Sequence, residues 1–404
     1  MALSIIRTSR CLVRPFEQTP SGTLDLSVID RLPVLRCNAR TLHVFRNGPE
    51  AARVIREALS KGWFPTTLLQ GVPRSPARVS FKLNAQDKVY GLLRHLLLII
   101  LNLSIILIMS QQSPMMSSFL IMFLKMTKAS SHLSKCSICD GLGAAQFLNA
   151  VGELARGVEQ LSISPVWCRD FSPAPPQQAN ATALPALPPP MPNYRLEHAN
   201  IDISLDKIAQ LKNEFQKSTG KTCSTFEVIA ATFWRNRTIA INLKQNTNMK
   251  LVFFANCRQV LDLALPKGFY GNCFFPVTIT VPTESLAQAS NIEVIKLIQE
   301  SKAKLPIEFG KYLKGEYLND GEDPFTPPLI YSTLFISEWG RLGFNQVDYG
   351  WGPPVHIVPI QGSSIIPVGI IGSLPLPKKG IRLMTWCVEE GHRQQFINQI
   401  MKAT

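Results

Sequence analysis

CSICDGLGAAQFLNAVGELARG, residues 136–157, is the stretch on which the reading of this chain turns. After Asp140 the residues Leu142, Ala145, Leu148, Val151 and Leu154 recur at helical spacing and predict an amphipathic helix. Asp140 itself stands where a helix N-cap would stand, a structural role any short carboxylate fills well. Upstream, LPVLRCNARTLHVF reads as a strand, and PEAARVIREALS follows as a helix. Pro49 suits its first turn, and Val54, Ile55, Ala58 and Leu59 lie on one face. Downstream, residues 164–192 are rich in proline, which cannot donate the hydrogen bonds of a helix or central strand, and read as a linker. Beyond it a helix over Ser204–Thr219 stops at Gly220. Ser224 and Glu227 make a capping box that opens FEVIAATFWRNRTIAI. LVFFAN, FFPVTITV, LIYSTLFIS, IIPVGIIGSL and IRLMTWCV read as strands, with a further helix over NIEVIKLIQESKAKL. This mixture predicts layered α/β architecture from about residue 196 onward. The expected organisation is therefore a domain over 1–163, a crossover linker over 164–195 and a second domain over 196–404.

Composition narrows the function classes. The chain has 404 residues, 46% of them hydrophobic and 17% charged, which fits two globular cores. The net charge of +14 invites an anionic partner, but between Gly62 and Cys139 eight Lys/Arg face a single acid, Asp87, without interleaved aromatics. About half the excess sits in that stretch, so nucleic acid is not an expected partner. Nine cysteines without paired spacing fit a reducing compartment, and the lone CxxC of Cys136 and Cys139 has no second half with which to hold a metal. Met1–Pro15 lacks the apolar core of a secretory signal, so the expected location is cytoplasmic. HLLLIILNLSIILIM at 95–109 and the apolar run at 119–126 are too short or too interrupted for a membrane span.

Two motifs frame the rest: CSICDG at Cys136–Gly141 and DYGWG at Asp348–Gly352. Between them, in order, lie TFEVIAATFWR at 225–235, NCR at 256–258 and LPKGFYGN at 265–272. This ordered set resembles the plant BAHD acyltransferases, whose motifs are HxxxDG and DFGWG, over residues 1 to about 61 and 137–404. The resemblance implies an α/β fold of two chloramphenicol-acetyltransferase-like domains, here with the N-terminal one incomplete, acting as a monomer. It also implies transfer of an acyl group from acyl-CoA to a small-molecule alcohol or amine, with acyl-CoA as cosubstrate and no bound cofactor or metal. In that chemistry the motif histidine takes the acceptor's proton, and the motif aspartate, here Asp140, holds its loop by pairing with an arginine, for which Arg258 is the candidate. Asp348, Tyr349, Gly350, Trp351 and Gly352 shape the CoA side, with Tyr349 standing where the family has Phe. Trp351 also reads simply as a packed turn residue, and Arg258 as a solvated charge at a strand end.

The histidine position holds Cys136. A thiol with an ordinary pKa of about 8.5 is a poorer base than imidazole near 6.5, and no base stands beside it in sequence. His132, four residues earlier, reads as an exposed loop residue. The codons explain the defect. One allowed spelling of Gly62–Val72, read two nucleotides later, gives LVPYYPLAGR, similar to the family's YYPLAGR stretch. The same offset turns Phe81–His95 into QAQCTGQGVWFVEA and Pro114–Leu120 into HDELLP. A shifted frame from about Gly62 to at least Leu120 accounts for the apolar run, the methionine cluster and the local basic excess, and predicts that 62–135 is irregular. Activity of the chain as written is therefore expected to be low. The alternatives are a non-catalytic protein that binds CoA or a partner, and a membrane-anchored protein using 95–125.

Overall fold

The computed structural model describes residues 27–30, 32, 40–62, 103–107, 120–125, 139–169, 171, 194–260, 265–318, 323–359 and 365–404. Ten strands and eight α-helices are described. They are β1 (Arg40–Phe45), α1 (Ala51–Gly62), β2 (Leu103–Leu107), β3 (Leu120–Lys125), α2 (Gly141–Ala155), β4 (Glu197–Ser204), α3 (Leu205–Thr219), α4 (Thr225–Ile241), β5 (Asn248–Asn256), β6 (Phe274–Pro282), α5 (Thr283–Gln288), α6 (Asn291–Ala303), α7 (Leu305–Leu313), β7 (Thr333–Glu338), β8 (His356–Pro359), β9 (Val368–Ser373), β10 (Gly380–Val388) and α8 (Glu390–Ala403). They form two compact units that are not contiguous in sequence. The first comprises 1–173, 263–273 and 341–360, and the second the remainder. The expected division at 163 and 196 thus differs from the observed one, because 341–360 supplies a strand and the DYGWG turn to the first unit and 263–273 supplies the LPKGFYGN segment.

In the first unit four strands pair in the order β2-β3-β1-β8. Both neighbours of β1 run antiparallel to it, with His43 opposite Met122 on β3 and Ile357 on β8. Alternation along β1 sends Thr41, His43 and Phe45 to the buried face. Ala51, Ile55, Ala58 and Leu59 of α1 and Ala145, Leu148, Val151 and Leu154 of α2 pack with Phe45 in one apolar cluster, closed by Phe344, Val347 and Tyr349. Removing a side chain such as Phe45 from water contributes roughly 2–3 kcal/mol, so this cluster is what holds the two helices to the strand.

Two expectations are corrected here. Residues 62–135 are not irregular throughout, since β2 and β3 lie within them and pair with each other, and β3 pairs with β1. A strand needs only backbone partners and a run of suitable residues, and LSIIL and LIMFLK provide that whatever frame produced them. The described part of the apolar run at 95–109 is thus strand, and among the described residues no helix is long and apolar enough to cross a membrane. The linker also begins later than 164. Val166 bridges to Phe269, Val166 N–H donates to Gly268 O at 2.9 Å, and Trp167 and Arg169 are buried, so Ser164–Arg169 is part of the first unit's structure. Most of the remaining linker lies outside the described residues.

The second unit is built on a mixed six-stranded sheet in the order β4-β10-β9-β7-β5-β6, with β7 parallel to both neighbours and the other pairs antiparallel. Three of its helices, α3, α4 and α6, start at side-chain caps. Ser204 accepts from Lys207 N to open α3, and Gly220 closes it in the left-handed conformation. Ser224 with Glu227, and Ser290 with Glu293, form reciprocal capping boxes on α4 and α6. α4 is buried almost all round, with Phe233 and Trp234 among its fully enclosed side chains, and it is the central helix of this unit's core.

Candidate active site

Asp140 does what its position predicts and more. It is the N-cap of α2, its Oδ1 accepting the Gly143 N–H at 3.0 Å. Its other oxygen, Oδ2, accepts the Cys273 N–H at 3.2 Å, from a residue 133 positions away. The carboxyl group therefore ties the first turn of α2 to the LPKGFYGN segment. Gly143 permits this approach, because a Cβ there would overlap the Tyr270 carbonyl oxygen. Further along the same face, the Gln146 side chain donates to Gly268 O at 2.9 Å. With both oxygens accepting from backbone amides, Asp140 is arranged to fix the LPKGFYGN segment against α2.

The second motif sits at the other end of α2. Asp348 Oδ1 accepts the N–H groups of Gly350 and Gly352, both at 2.8 Å, which winds DYGWG into a tight turn. The two glycines take φ of +111° and +88°, a conformation side-chain-bearing residues rarely adopt. Arg156 donates to the Asp348 carbonyl, and Gly152 lets that carbonyl lie against the helix. Tyr349 and Trp351 stack edge-on with Phe45 at 5.8 and 6.3 Å between centroids. The packed reading of Trp351 is therefore what the structure shows. Gly152 lies twelve residues along α2 from Asp140, about 18 Å at 1.5 Å per residue, so the two motifs do not converge on one set of reacting atoms. Burial raises the Tyr349 phenol well above its ordinary pKa, and its hydroxyl finds no hydrogen-bond partner among the described residues.

Arg258 belongs to the second unit, just beyond β5, where its backbone N–H and Nη1 both donate to Asn256 Oδ1 at 3.1 and 3.2 Å. Cys136 and His132 lie outside the described residues. Among the described residues no group of His, Cys, Asp and Glu could hold a metal ion. Sequence reasoning missed Cys273 as the second anchor of Asp140. The signal was present in LPKGFYGN, whose small residues mark a close approach, but nothing local says to what.

The family model described as Transferase family matches residues 130–370, more than half the chain. Acyl transferase 4 of Oryza sativa subsp. japonica is 36% identical, covering 99% of this chain and 99% of that protein. The chain belongs to the BAHD acyltransferase family. The alignment with that relative runs over 448 positions, more than the 404 residues present here, so BAHD relatives carry segments this chain lacks. Two solved structures share the fold. They are vinorine synthase, at TM-score 0.63 and 16% identity over 99% of this chain and 98% of that one, and F. sporotrichioides TRI101 complexed with coenzyme A and T-2. For the latter the TM-score is 0.61 and the identity 12%, over 92% and 96%. The α/β architecture of this BAHD chain is thus that of its family, and it is an acyltransferase by family.

Proposed function

We propose that this scaffold serves transfer of an acyl group from acyl-CoA to a small-molecule alcohol or amine, at the CSICDG motif of residues 136–141, and that the chain as written shows little or no transfer above background. The observation that carries the reading is the pairing of an intact anchor with an altered base. Asp140 is clamped between the amides of Gly143 and Cys273, while the residue four positions before it is Cys136. The reaction needs the acceptor's proton removed as its oxygen or nitrogen attacks the thioester, and a positioned imidazole typically contributes 10²–10⁴-fold, roughly, to that step. A thiol without a neighbouring base supplies little of it. In this reading the DYGWG turn supports the CoA side. The protein acts as a cytoplasmic monomer without a metal. Coenzyme A in the TRI101 complex supports CoA as the carrier.

The test compares the purified chain with its Cys136→His variant, measuring free CoA released from aliphatic and aromatic acyl-CoAs with alcohol and amine acceptors. The expected result is background release by the chain and an increase of about 10²-fold in the variant, of the size a general base supplies. A variant that binds CoA by calorimetry yet transfers no faster would remove position 136 as the limiting defect.

A further inference from the structure

The chain contains a buried ion pair that the motifs do not account for. Asp30 and Arg169, 139 residues apart, meet with Arg169 Nε at 2.6 Å from Asp30 Oδ2, and their side chains are 0% and 2% exposed. Desolvating two charges costs several kcal/mol, so such a pair is better explained by what it fixes than by net stability. The Asp30 carboxyl is further engaged: Ser27 N–H donates to Oδ2 at 3.0 Å, and the Asn272 side-chain amide donates to Oδ1 at 2.8 Å. Arg169 is held from its other side, donating to Trp167 O at 3.0 Å with its guanidinium 3.6 Å over the Trp167 ring. Gly271 passes so close that a Cβ there would stand 2.8 Å from Arg169 Nη1. The next residue, Asn272, bonds Asp30, and the one after, Cys273, gives its N–H to Asp140. Three consecutive residues thus connect a remote buried charge pair to the motif carboxylate.

We infer that Asp30, Arg169 and Asn272 are positioning residues for acyl transfer, acting through the Cys273 amide to set the position of the Asp140 carboxylate at the start of α2. None of them is placed to touch a substrate. The inference takes the proposed function as its setting, but the linkage can be measured without turnover. Hydrogen exchange is followed by mass spectrometry on the full chain and its Asn272→Ala variant, with Asn272→Gln as a milder displacement of the same amide. Removing a hydrogen bond to a buried carboxylate is expected to speed exchange of the amides at 139–143 and 271–273 by about ten- to a hundredfold, leaving β5 and α1 unchanged. In the Cys136→His background the same change lowers kcat with KM nearly constant, as befits a displaced Asp140 carboxylate. Unaltered exchange at 139–143, or loss of protection spread evenly over the first unit, would overturn the inference. If Cys136→His proves inert, the transfer reading fails while the exchange result still decides the linkage.

Discussion

At Tyr349 the chain carries a hydroxyl that its surroundings do not use. The ring fills the core beside Phe45 and Trp351, but the oxygen is buried and unpartnered among the described residues. An unsatisfied buried hydroxyl costs about 1–3 kcal/mol, so Tyr349→Phe is expected to stabilise the first unit by about 1 kcal/mol, read as a rise in Tm of about 2–4 °C. His43 makes a pH-dependent contribution. Burial holds its pKa down to about 4, so the folded chain keeps it neutral while the unfolded chain protonates near 6.5. Stability from this residue is complete above pH 6.5 and is lost as pH falls from there toward 4, by about 3 kcal/mol in total. Denaturant titrations at pH 7 and pH 4.5 should show that decline, and His43→Gln should flatten it. Much of the site was legible at this scale. Asp140 and the DYGWG glycines announce their roles because capping and left-handed turns are local chemistry. The Asp30–Arg169 pair and the Cys273 amide were not, because each depends on a partner more than a hundred residues away.

Helices with explicit caps were the elements most readable from sequence. Ser204, Gly220, Ser224 and Glu227 mark the ends of α3 and α4 where they occur. β4 escaped notice because its buried face is only Ala199, Ile201 and Ile203 among polar residues, and α8 because just Phe396 and Ile400 of its fourteen residues are buried. Their positions are set by pairing with β10 and packing on α4, which no local pattern encodes. At the N-terminus of α2 the prediction is steric. Gly143→Ala would drive a methyl group into the Tyr270 carbonyl and is expected to cost about 3 kcal/mol or more by chemical denaturation. Gly310→Ala on α7 meets nothing within 4 Å and is expected to gain about 0.5–1 kcal/mol, since alanine is the better helix former. Equal effects at the two sites would show that the α2 approach is looser than described.

For the molecule as a whole, the family architecture is shared over nearly the full chain. β2 and β3 show that a stretch the codon reading marks as shifted still pairs on the edge of a real sheet when it is apolar enough. Under the proposed function strands alone do not supply the chemistry, because proton removal there rests on one side chain at one position. The most direct measurement is the steady-state rate of CoA release by the purified 404-residue chain, with acyl-CoA and acceptor alcohols or amines in excess, beside a Cys136→Ala control. The account predicts that both proteins release CoA at the rate of buffer alone. Repeated turnover by the unaltered chain, abolished in the alanine variant, would contradict it by making the thiol a working catalytic group.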